Sequence, residues 1–110
     1  MSLIAAAMIA GAASLPAPPP GLQFSFYRML AFQQRAHELN CGSGDLDAEL
    51  ADLRRKLIER YGKKAFSPPK QPASGMPGSC FSITSVYRVN LGDFRKLVAE
   101  TLAAPAAPKE

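Results

Sequence analysis

The sequence has no tryptophan, one histidine (His37) and two cysteines (Cys41 and Cys80) among 110 residues. So small a supply of nucleophiles and proton carriers points away from an enzyme. It holds no C-x-x-C or H-x-x-x-H pair, the close spacing that structural zinc usually requires. There is no Gly-rich phosphate motif with its lysine, and Ser79-Cys80 is not part of a G-x-S-x-G elbow. No cofactor is therefore expected. No charged side chain precedes Arg28. After the N-terminal segment, no apolar run reaches 18 residues, so the mature chain is expected to carry no transmembrane helix.

What is present is enough for one small folded domain. Hydrophobic residues make up 47% and charged residues 20%, which is too apolar for a chain that stays disordered throughout. Ten prolines and eight glycines are many for this length and imply linker and tail. The formal net charge is +4.

The first 15 residues, MSLIAAAMIAGAASL, are apolar and small, and Pro16-Ala17-Pro18-Pro19-Pro20 follows. That run is too short for a bilayer and suits the apolar region of a secretory signal peptide. Ala12-Ala13-Ser14 places small residues where a signal peptidase reads them, so residues 1–14 are expected to be removed. The basic residues that normally open a signal are missing, as they would be if translation started upstream of Met1. The competing reading of this segment is an Ala-rich arm or a buried helix.

Export gives the cysteines a role. An even pair in a short chain in an oxidising compartment predicts a Cys41–Cys80 disulfide. Closing a loop of roughly 40 residues is worth about 4 kcal/mol in the loop-entropy picture. Cores of this size supply only ~3–5 kcal/mol net, so the bridge is structurally decisive.

Leu46, Leu50, Leu53, Leu57 and Tyr61 recur at helical spacing and predict an amphipathic helix over 45–61. Asp45 can cap its start, and Gly62 is placed to end it in a left-handed conformation. Residues 25–40 are rich in helix formers. There Phe24, Phe26, Tyr27, Met29, Leu30 and Phe32 surround much of the axis, as in a helix buried on several sides. Residues 81–91 alternate like a strand, but Ile83, Tyr87, Leu91, Phe94, Val98 and Leu102 form one helical stripe. A helix over 82–103 is preferred, with a possible break at Asn90-Leu91-Gly92-Asp93. The expected fold is all-α: a small three-helix bundle stapled by one disulfide. A signal-like segment (1–14), a Pro-rich linker (15–23), a helical domain (24–103) and a Pro/Ala-rich tail (104–110) complete the chain. Phe66, alone in a polar loop, is expected to anchor into the core.

Two clusters could carry function. Arg54, Arg55, Lys56, Arg60, Lys63, Lys64 and Lys70 stand in a 17-residue window with one acid, Glu59. They form a basic patch at the end of the second helix and in the loop after it. The plainer reading is a solvated helix end where cations suit the dipole. The second cluster is His37, Cys41 and Cys80, which a cytosolic thiol or metal-binding protein would use. A disulfide removes the thiols from that reading. The function expected is that of an exported, non-enzymatic helical protein, periplasmic or secreted, that acts by binding. Its partner would be an anionic envelope component or an acidic protein, and export makes nucleic acid a poor candidate.

Overall fold

The computed structural model describes residues 15–67 and 75–104. Residues 1–14, expected as a signal peptide, and Lys70 and the tail after Ala104 lie outside the described residues. Within them the chain forms three α-helices and no strand: α1 (Pro20–Glu38), α2 (Gly44–Tyr61) and α3 (Cys80–Ala103). A single 3-10 turn, Lys63–Phe66, follows α2. The fold is a small all-α bundle, with α1 packed most extensively on α3.

Helix α1 starts at Pro20, inside the segment expected as linker and ahead of residue 25. Proline lacks the N–H that a first turn leaves unpaired, and its fixed φ suits that position. The helix ends in a Schellman arrangement around Asn40, whose φ is 58°. The Asn40 N–H donates to the His37 carbonyl at 3.1 Å, and the Cys41 N–H to the Ala36 carbonyl at 2.9 Å. This turn delivers Cys41 to the start of α3. There it is bonded to Cys80, with the Cα atoms 5.4 Å apart.

In α2 the cap position belongs to Ser43, not Asp45. Asp45 and Asp47 lie in the first turn, against the positive end of the helix dipole. Gly62 closes the helix with φ 92°, a conformation that side chains resist. Helix α3 is continuous, so both the strand reading and the break at 90–93 give way. The Ser79 hydroxyl caps its start by accepting from the Ser82 N–H at 3.2 Å. Asn90, which might have restarted a helix, instead donates its side-chain amide to the Val86 carbonyl one turn back at 2.8 Å.

The core is built from the expected stripes. Leu46, Leu50, Leu53, Leu57 and Tyr61 of α2 meet Ile83, Tyr87, Leu91, Phe94 and Val98 of α3 and Leu22, Phe26, Met29, Phe32 and Ala36 of α1. Phe66 is fully buried, edge-on to Phe26 with centroids 5.5 Å apart. The first turns of α1 are less enclosed than their composition implied. Phe24 is 64% exposed, because only one stripe of α1 faces the other two helices.

Candidate functional site

The basic patch divides into three groups. Leu53, Leu57 and Tyr61 turn inward, which leaves the arginines between them at the rim of the core. The Arg54 Nε donates to the Phe66 carbonyl at 2.9 Å and holds the 3-10 turn against α2. Arg60 reaches across to the end of α3 and donates to the carbonyls of Thr101 and Leu102, both at 2.9 Å, and Ala104 at 3.2 Å. The last turn of α3 has no basic residue of its own, so Arg60 satisfies its orphan carbonyls from a neighbouring helix. These two arginines therefore hold the fold together.

Arg55 pairs with Asp52 and Glu59, both at 2.8 Å, and Lys56 pairs with Asp52 at 3.3 Å. Hydrogen bonds from Arg55 and Lys56 keep the Asp52 carboxyl below its ordinary range. Such exposed pairs add little stability, but they do cancel charge locally. Lys63 and Lys64 remain. Both are exposed on the 3-10 turn, and neither has an ion-pair partner among the described residues. A window that reads as one cluster thus presents two free ammonium groups, with Lys70 outside the described residues.

The second cluster is rearranged around a residue that the sequence marked only as a dipole partner. Both sulfurs are bonded to each other, so neither is a thiolate ligand or nucleophile in this state. His37 turns instead to Asp47, with Nε2 2.6 Å from Oδ2. Tyr87 donates its hydroxyl to the other carboxylate oxygen at 2.9 Å, and the buried Ser43 hydroxyl donates to the same carboxylate at 3.2 Å. Partial burial pushes the Asp47 carboxyl up. The hydrogen bonds from His37, Tyr87 and Gln33 outweigh that and hold it below its ordinary value. Burial, reinforced by the Asp47 charge, pushes the Tyr87 hydroxyl well above its ordinary range.

A His, an Asp and two hydroxyls within one cluster invite comparison with a catalytic relay. The connectivity is different. In a relay the hydroxyl gives its proton to the imidazole, and the carboxylate orients the imidazole from behind. Here both hydroxyls donate to Asp47, and neither is hydrogen-bonded to His37. The carboxylate is a hub that ties α1, α2 and α3 together beside the disulfide.

A groove of about 190 Å³ runs between α1 and α3. Ser25 and Arg28 line it from one helix, Asn90 and Asp93 from the other, over Met29 and Phe94. The Arg28 guanidinium lies 5.7 Å from the Phe32 ring centroid and donates to the Asn90 side-chain oxygen at 3.4 Å.

Fold and clusters together define the class: a small, disulfide-stapled helical domain whose polar networks chiefly join its helices. Compared with known protein families, curated proteins and solved structures, the chain matches none of them.

Proposed function

We propose that the chain is an exported, non-enzymatic protein that acts by binding, and that Lys63 and Lys64 form its contact with an anionic partner. One observation carries this reading: these two lysines stand exposed on a turn anchored by Phe66, while the cations around them are tied to carbonyls or acids. Anchoring matters because a turn whose backbone is already fixed loses little backbone freedom on binding. The disulfide is compatible with an oxidising compartment, periplasmic or extracellular. Among the described residues no helix is long and apolar enough to cross a membrane.

The test compares the chain with a Lys63→Glu/Lys64→Glu variant for binding to anionic phospholipid vesicles and to polyglutamate. Binding should weaken steeply from about 50 to about 200 mM salt and should be lost in the variant. Binding that neither salt nor the variant changes would overturn the reading. Export is tested separately, by the intact mass of the chain recovered from its own host. Loss of about 14 residues is expected of a cleaved signal. A full-length mass with free thiols would refute it.

A further inference from the structure

We infer that the face formed by α1 and α3 is a self-association surface whose occupant is a second copy of this chain. The two seams that flank α3 treat their charges differently. Along the seam with α2 they are closed within the chain: Arg88 pairs with Asp45 at 3.5 Å, and Arg95 pairs with Glu49. Among the described residues no ion pair closes them along the seam with α1, and Arg28 meets only the neutral Asn90 side chain at 3.4 Å and the Phe32 ring. Arg28 and Asp93 both line the groove, both are exposed, and neither has an ion-pair partner among the described residues.

Each of these charges stands one helical turn from an exposed apolar side chain. Phe24 precedes Arg28 by four residues on α1, and Val89 precedes Asp93 by four on α3, so each pair shares a face of its helix. Phe24 is 64% exposed and Val89 65%. Lys96, three residues after Asp93, and Glu100, four further on, are exposed on the same side of α3, so the face offers two cations, two anions and two apolar groups, with no net charge. An acidic partner would be met by Asp93 and a basic one by Arg28. A surface with this content is complementary to itself. A twofold axis applies each contact twice, so Arg28 of one protomer would meet Asp93 of the partner subunit, and the reverse. Phe24 and Val89 would be covered in the same step, giving the contact an apolar centre. Lys63 and Lys64 belong to the turn beyond α2, so this inference does not depend on the proposed anionic partner.

Sedimentation equilibrium of the full disulfide-bonded chain from about 10 to about 500 µM tests the inference across the range of a weak dimer. The average mass should climb from one protomer towards two. Phe24→Glu/Val89→Glu should remain at one protomer mass, with an unchanged thermal melt as proof of folding. Arg28→Asp and Asp93→Arg provide a charge test. Each alone should be monomeric, because like charges then face each other across the axis. A mixture of the two should dimerise, because a carboxylate of one then meets a guanidinium of the other at both sites. Wild-type chain that stays monomeric over this range overturns the inference. So does association that survives in Phe24→Glu/Val89→Glu, or a mixture that stays monomeric.

Discussion

The Tyr87 hydroxyl donates to the Asp47 carboxylate at 2.9 Å, across 40 positions of sequence. With His37 on the second oxygen, one carboxylate joins all three helices at the disulfide end of the bundle. Its chemistry sets how the fold responds to acid.

Asp47 has a lower pKa folded than its ordinary value of 3.8. As pH falls, the unfolded chain therefore takes up this proton first. The contribution to stability is fully present above pH 3.8 and is lost as pH falls through the folded value. Urea denaturation between about pH 5 and pH 2 should show falling stability, and Asp47→Asn should flatten that slope. At neutral pH the variant should cost about 1–3 kcal/mol, the range for weakening hydrogen bonds to a charged hub. An unchanged acid limb in the variant would assign the response to other carboxyls.

Arg60 closes the end of α3 with a fork to three carbonyls. Lysine keeps the charge but not the planar fork, so Arg60→Lys separates geometry from the helix dipole. It should lose about 1–2 kcal/mol in thermal or urea unfolding, with faster amide exchange confined to the last turns of α3. Wild-type exchange in the lysine variant would mean that charge alone suffices.

Two glycines should respond to alanine with opposite sign. Gly92 lies inside α3 with open space where a Cβ would stand, so Gly92→Ala should stabilise by about 0.5–1 kcal/mol. Gly62 has φ 92°, and Leu15 Cδ1 lies 3.1 Å from the position of a Cβ. Gly62→Ala should destabilise by about 1 kcal/mol or more, since the positive φ resists a side chain even where the tip of the exposed Leu15 moves aside. Melting temperatures of the two variants, measured side by side, check the pair.

Cys41 and Cys80 are 39 positions apart, and their bond pins the start of α3 to the end of α1. Reduction frees a loop of that length in the unfolded chain and should cost about 4 kcal/mol. Urea unfolding with reductant should show a much lower midpoint and a steeper slope, because the freed unfolded chain exposes more surface. A Cys41→Ser/Cys80→Ser variant should match the reduced chain. A small shift would mean that the stripes alone sustain the bundle.

The sequence by itself determined α2 and the inward stripes, and it favoured a helix after Cys80 although residues 81–91 also alternate like a strand. Leu46 to Tyr61 and Ile83 to Val98 repeat at the period of a helix, and burial follows period because one face must leave water. It determined the disulfide, since two cysteines admit one intramolecular pairing, and the anchor Phe66, the one aromatic in an otherwise polar and Pro-rich loop. The start of α1 was harder to read, because prolines mark both linkers and first turns, and only packing of Leu22 against the core decides between them. The tertiary structure alone decided the roles of the charges. Arg54, Arg55, Lys56 and Arg60 look alike in a row. One meets the Phe66 carbonyl, two meet acids of their own helix, and one crosses to α3. Asp47 looked like any first-turn acid until Tyr87 was brought to it from 40 residues away. Hydrophobic burial is a property of each residue type and leaves a periodic trace in the chain. A hydrogen bond needs two partners within about 3 Å, and which partners meet is known only once the helices have packed.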